Sequence, residues 1–202
     1  GTGNPIADGV FISRLNPYNP FGFDLDGRLT TPAANRNLIL IGRRPVEGGP
    51  RVFEQEVDTW YVGAGLEGVF DAGQRTLYWD VNVAPSENKA EQTNFGSYDI
   101  RNIALALGDP AACAAVAGCT PLNIFGGPGT ITQAMLDFIQ PVVRDRSENK
   151  LALFTANLSG SLFELPAGSA DFAAGFEHRR LDGSYTPDQL TINGFYNGVP
   201  SL

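Results

Sequence analysis

Histidine is almost missing from this sequence: His178 stands alone, and only two cysteines, Cys113 and Cys119, accompany it. A structural zinc site takes four Cys or His ligands, so this set falls short, and neither a metal nor a cofactor is expected. Long apolar runs are missing too. No stretch approaches the roughly 20 residues that a membrane-spanning helix needs, so contact with a bilayer would have to be made by strands. There is no basic stripe. The formal net charge is −8, and the nearest thing to a basic cluster, Arg43, Arg44 and Arg51, is interleaved with Glu47, Glu54 and Glu56. That mixture reads as a solvated loop face, and nucleic acid is excluded as an expected partner. No secretory signal is present, and the chain begins Gly1-Thr2-Gly3 without a methionine, which reads as a processed or excised segment.

What is present points to a folded β-protein. Hydrophobic residues make up 43 % and charged residues 18 % of the 202 positions, a composition that can build a core. With 24 glycines and 14 prolines, the punctuation suits short turns between strands and argues against a helical bundle. Cys113 and Cys119 lie close enough to close a small loop, which an oxidising compartment favours. A structural disulfide is the expected state; metal ligation and redox chemistry are the alternatives.

Period-two alternation recurs four times. From Trp60 to Phe70, the residues Trp60, Val62, Ala64, Leu66 and Phe70 share one face, and Tyr61, Gly63, Gly65 and Glu67 share the other. Ten steps of about 3.3 Å give about 33 Å, and a tilt of about 40° brings this to about 25 Å, the height of the apolar band on a transmembrane barrel. Upstream, Glu54, Glu56 and Asp58 cannot face lipid, so the strand should project past the membrane there. Asp71-Ala72-Gly73-Gln74 reverses the chain into a second strand with Leu77, Trp79, Val81 and Val83 opposite Tyr78, Asp80 and Asn82. A third strand spans about 151 to 165, with Phe154, Ala156, Leu158 and Leu162 facing one way and Thr155, Asn157, Ser159 and Ser161 the other. After a tight turn at Pro166-Ala167-Gly168, a fourth sets Phe172, Ala174 and Phe176 against Gly175, Glu177 and Arg179. The predicted class is all-β and antiparallel, a partial transmembrane-type β-barrel spanning 1–202. A soluble β-sandwich alternates in the same way, but it would bury large residues on its second face, where this sequence has small and polar ones.

The connection over 86–149 is too long for an ordinary hairpin and reads as a functional insertion. It carries helical signals. Asp99 can cap a helix ending at Gly108. Asp109-Pro110 opens a second, with Gly118 past its end. Thr130-Ile131-Thr132-Gln133 reads as a capping box before Met135, Leu136, Phe138 and Ile139, with Pro141 as the stop. The cysteines bracket the middle helix, so a disulfide would pin a loop with little core. Short turns at one end and long loops at the other match the asymmetry of outer-membrane barrels.

Several phrases then form an ordered set. Asn16-Pro17-Tyr18-Asn19-Pro20-Phe21-Gly22 comes first. Arg43-Arg44-Pro45-Val46-Glu47-Gly48-Gly49-Pro50-Arg51 follows, leading to Val57-Asp58-Thr59-Trp60. Next is Gly118-Cys119-Thr120-Pro121-Leu122-Asn123-Ile124-Phe125-Gly126. Last are Leu162 to Gly168, Ala173 to Arg179, and Tyr185-Thr186-Pro187-Asp188. This set resembles TonB-dependent outer-membrane receptors over nearly the whole chain. The resemblance implies a gated transporter for a scarce nutrient such as an iron chelate, cobalamin or a glycan. It implies a bacterial outer-membrane location with extracellular loops, and as partners the lipid bilayer, the rest of the barrel and plug, and TonB acting through the plug. Plug, Ton box and an aromatic-ended terminal strand have no match here; the last residues are Pro200-Ser201-Leu202. A barrel of about 22 strands cannot close from four to six. The alternative expectation is therefore a receptor-derived extracellular fragment that pairs its open edges with copies of itself, as an oligomer or filament.

Enzyme signals are weak. Gly63-Ala64-Gly65-Leu66-Glu67-Gly68 fits G-x-G-x-x-G, but alternation continues where a dinucleotide site needs a helix. Gly126-Gly127-Pro128-Gly129 lacks the Lys-Ser/Thr of a P-loop. Ser159 and Ser161 have no nearby His and no nucleophile elbow; Glu164, Asp171 and Glu177 read as rim and lumen groups. No catalytic residue is nominated and no enzymatic activity is expected. The candidate ligand contacts are the loop aromatics Tyr18, Phe21, Phe125 and Phe138, which could equally pack the loop's own small core.

Overall fold

The computed structural model describes residues 9–39 and 41–197; the Gly1-Thr2-Gly3 and Pro200-Ser201-Leu202 ends lie outside them. Strand outweighs helix, 46 % against 16 %, as turn-punctuated alternation requires. The short strands β1 (Phe11–Ile12) and β2 (Leu25–Asp26) pair antiparallel. The main sheet holds β3 (Val52–Tyr61), β4 (Ala64–Ala72), β5 (Arg75–Val83), β6 (Ser86–Phe95), β7 (Val143–Leu165) and β8 (Gly168–Thr186). Its order is β3-β6-β7-β5-β4, with β8 also on β7. The sheet is not closed. Among the described residues no helix is long and apolar enough to cross a membrane.

The strand order has a simple origin. β3 and β4 lie along one line interrupted at Val62-Gly63, and β5 and β6 along a second interrupted at Ala84-Pro85. Trp60 to Phe70 is therefore two strands and not the single one expected. Pro85 has no N–H to give the ladder. The two gaps face each other, and what remains of the pairing is a bond from Val62 N–H to the Pro85 carbonyl at 3.1 Å and one from Ala84 N–H to the Leu153 carbonyl at 2.9 Å. Four long antiparallel lines result, joined by two-residue turns at Gly73-Gln74 and Pro166-Ala167. Gly73 takes φ +71°, a region that a side chain disfavours.

The lines run further than their alternation indicated. β6 covers residues 86–95 and β7 begins at Val143, so the long connection is 96–142 and not 86–149. These extensions are charged on one face, which hid them from an apolar pattern. A bulge between Ser161 and Phe163 also shifts the expected register: Phe163 comes opposite Ala170, on the side of Phe172 that was expected for Leu162.

The chain divides into two compact units. A sheet unit comprises residues 55–91 and 146–186. A loop unit comprises residues up to 54, 92–145 and from 187. In place of one uniform segment, the loop unit has its own core: Ile12, Leu25, Leu107, Leu122, Ile131, Met135, Leu136 and Ile139 are buried together. Three helices frame it. In α1 (Ile100–Leu107), the Asp99 carboxylate accepts from the amides of Arg101 and Asn102, and Gly108 is the C-cap. In α2 (Pro110–Ala114), Asp109 caps and Pro110 opens the first turn. In α3 (Gln133–Ile139), the N-cap is Thr132, not Thr130, with Met135 three residues on. A fourth helix, α4 (Gln189–Ile192), is capped by Asp188.

Cys113 and Cys119 form a disulfide. They do not bracket the middle helix: Cys113 sits within α2 and is buried, and Cys119 follows it, packed on the core. Gly118, four residues beyond the end of α2, takes φ +76° and turns the chain. Closing so short a loop removes about 2 kcal/mol of unfolded-chain entropy. Cys113→Ser should therefore raise the protease sensitivity of residues 99–140 and leave amide protection in β7 and β8 unchanged. Equal sensitivity in the two proteins would refute this role.

Candidate functional site

Side chains alternate across a strand, so the registers fix two faces of the sheet unit. Four cross-strand rows form one face: Phe70–Leu77–Gly160–Phe172, Gly68–Trp79–Leu158–Ala174, Leu66–Val81–Ala156–Phe176 and Ala64–Val83–Phe154–His178. The opposite face carries Val69–Tyr78–Ser159–Ala173, Glu67–Asp80–Asn157–Gly175 and Gly65–Asn82–Thr155–Glu177. The apolar face is uncovered: Leu66 is 69 % exposed and Phe176 60 %. Of the buried hydrophobic residues, only Ala84 and Ala90 belong to this unit.

Glycines make room for the larger neighbours on both faces. A Cβ on Gly68 would lie 2.9 Å from the Trp79 indole, so the ring lies over the glycine. On the polar face, Gly65 and Gly175 leave space for the amides of Asn82 and Asn157, which both donate to Asp80 Oδ2 at 2.8 Å. The Gly63–Gly68 phrase thus serves strand packing, and no helix begins there. Ser159 and Ser161 lie on the face opposite His178, so these residues cannot form a nucleophile–base pair.

Sidedness inverts along β7 and β8. On the Phe154 face, residues nearer the long connection are Arg146, Glu148 and Lys150, opposite Thr186, Ser184 and Asp182. On the other face, Leu151 meets Leu181 and Ser147 meets Tyr185. The charged stretch is a network. Glu87 contacts Lys89 at 3.2 Å and Lys150 at 3.3 Å, Glu148 contacts Lys150 at 2.9 Å, and Arg146 contacts Glu91 at 2.9 Å. Exposed pairs of this kind contribute only about 0–1 kcal/mol; their effect is to keep this end of the face wet. Trp60 stands at the border, its indole N–H donating to Glu87 Oε2 at 2.8 Å.

In the loop unit, the Asn-Pro phrase builds two consecutive Asx turns. Asn16 Oδ1 accepts from Tyr18 N–H at 3.0 Å and Asn19 Oδ1 from Phe21 N–H at 2.9 Å. The buried Asn16 amide also donates to the Ala106 carbonyl at 3.1 Å. This geometry places Phe21 against Phe23 and Phe125, with ring centroids 5.9 and 5.8 Å apart. Phe125 and Phe138 pack on the core, whereas Tyr18 is exposed. Of the four candidate aromatics, Phe21 and Phe125 are thus brought into ring contact.

A cleft of this unit lies elsewhere. It has a volume of about 980 Å³, with walls of Val10, Ile41, Ile103, Leu122, Ile124 and Ile139, and with Arg43, Arg44, Arg51, Tyr98 and Asn197 on its lining. Burial pushes the Tyr98 phenol above its ordinary value, against the effect of the nearby Arg51. The arginines were expected on a solvated loop face, but Arg43 is drawn inward. It pairs with Glu47 at 2.7 Å, with side-chain exposures of 15 % and 12 %, and donates to the Gly127 carbonyl at 3.0 Å. The same Glu47 oxygen accepts the Gly129 amide at 2.6 Å. An Arg and a Glu four residues apart beside a glycine-rich partner loop was the available signal, and it is too common to locate a contact. Among the described residues, no cluster of three His, Cys, Asp or Glu side chains could hold a metal ion.

No protein-family model matches this chain, and no curated protein matches it.

Two expectations test this geometry. In a Trp60→Phe background, Gly68→Val should displace the Trp79 ring and shift its emission; an unchanged spectrum would mean that the ring does not lie on the glycine. Glu47 is held below its ordinary value of 4.5 by its own backbone amide, then by the Gly129 and Ile131 amides and Arg43. A depressed carboxyl contributes stability above its unfolded value and loses it as pH falls through the folded one. Amide protection at Gly129 should therefore hold at neutral pH and fall off only in acid, below the carboxyl's ordinary value. Glu47→Gln should reduce that protection at neutral pH and remove its pH dependence. Protection independent of both pH and Glu47 would refute the assignment.

Proposed function

We propose that this chain is a segment of a TonB-dependent outer-membrane receptor. Its four strand lines would cross the bilayer, and its long connections would lie outside the cell and help to capture a scarce nutrient. The observation that carries this reading is the uncovered apolar band, four rows high, on a sheet whose other face is polar in two of its three matching rows. A soluble sandwich would place a second layer on those rows. A barrel wall instead gives them to lipid and gives the polar face to the lumen. Phe70, Phe163 and Phe172 near the two-residue turns and Trp60 near the charged network fit the interfacial aromatic girdles. The turns would be periplasmic. The remaining strands, the plug, and TonB acting through the plug would be supplied by the rest of the receptor.

Reconstitution of the chain into bilayers with brominated acyl chains tests this. Trp79 should be quenched most by bromines near the bilayer centre and Trp60 by those near the headgroups. Leu66→Arg, near mid-band, should destabilise the inserted form by about 2–4 kcal/mol. A chain that stays folded and monomeric in water, with neither tryptophan quenched by lipid, would overturn the proposal.

A second reading has its own observation. Among the described residues, β4 at one side of the sheet and β8 at the other each pair on a single side, and free edges recruit further strands. A receptor-derived extracellular fragment could therefore assemble with copies of itself. Sedimentation across a hundredfold dilution should then show concentration-dependent oligomers, and a constant monomer would exclude it.

A further inference from the structure

We infer that the cleft of the loop unit is a binding site for an amphipathic anion, a ligand with an apolar body and a carboxylate or comparable anionic head. Ligand sites of this kind combine mostly apolar walls with a few placed polar groups, in volumes of about 300–1,000 Å³; this one is about 980 Å³. The charge of its lining decides the ligand class. Three arginines line it and no carboxylate does, although the chain as a whole carries a net charge of −8. Local positive charge in an acidic protein is a recruiting field for anions.

The three arginines differ in availability. Arg43 is committed to Glu47 and to the Gly127 carbonyl, which fixes the wall. Arg44 and Arg51 are exposed, and among the described residues neither enters an ion pair. Their planar donor forks suit a carboxylate bidentately, while the isoleucine and leucine walls take the apolar body. Tyr98 adds a hydroxyl to the same lining. The residues belong to one compact unit, so the site does not depend on the membrane reading. As the class of nutrient taken by the proposed receptor, the inference rests on that reading; as a binding site it does not.

The test uses the whole folded chain in nonionic detergent and two fluorescent probes with the same ring system, 1-pyrenebutyrate and the neutral 1-pyrenebutanol, with blank micelles subtracted. Saturable anisotropy binding of the butyrate is expected, with the alcohol roughly tenfold or more weaker, the effect of losing about one charge-assisted hydrogen bond. Arg44→Gln with Arg51→Gln should weaken the butyrate by a similar factor and leave the alcohol unchanged. Both positions are exposed, so this variant should fold, which amide protection of α1 and α3 checks. Equal binding of the two probes, an unaffected double variant, or no saturable binding would overturn the inference. Lipid quenching of Trp79 is read separately, so loss of either result leaves the other standing.

Discussion

The sheet unit depends on the balance between satisfied backbone and unsatisfied side-chain burial. The two inner lines pair their amides and carbonyls on both sides in an almost continuous ladder and the two outer lines on one, which removes much of the cost of taking peptide groups out of water. A sheet one layer thick, however, leaves its apolar face in contact with the surroundings. Leu66, Val83, Phe154 and Phe176 stay exposed, and the hydrophobic effect, the dominant favourable term in folding, is left largely uncollected there. Every functional reading of the sheet unit turns on what covers those rows, because the ladder alone does not distinguish lipid from a second sheet.

The loop unit solves the opposite problem. Its segments come from three separated stretches with many turns, and a common core holds them. Ile12 from the first stretch packs with Leu122, Met135 and Ile139 from the second, and the disulfide and the Arg43–Glu47 contact add local ties. Polar groups that would otherwise be stranded are used as caps and turn-formers: Asp99, Asp109, Asp188, Asn16 and Asn19 each accept from a nearby backbone amide. The rigid wall that results is what allows a cleft to persist between loops.

Much of the sheet was legible. The faces of β4, β5, β7 and β8 follow from period-two alternation, because a one-residue slip would turn the whole apolar set to the other side. The turns at Gly73 and Pro166 and the caps at Asp99 and Asp109 follow from short-range chemistry. Other features were not legible. The break at Pro85 divides strands only because the partner line is also interrupted there. The lengths of β6 and β7 were masked by charged residues that pair across strands. The cap at Thr132 competes with an equally good Thr130 two residues away.

The sequence by itself determined which residues alternate, where the chain turns and how the helices start, because those depend on neighbours a few positions apart. Tertiary structure alone decided that Phe21 meets Phe125, that Glu47 reaches the Gly129 amide, and that the neighbouring Arg43, Arg44 and Arg51 line a cleft walled by Ile103, Leu122, Ile124 and Ile139. Those outcomes depend on which distant segments are brought together, and no local pattern encodes the distance between residues 82 or 104 positions apart.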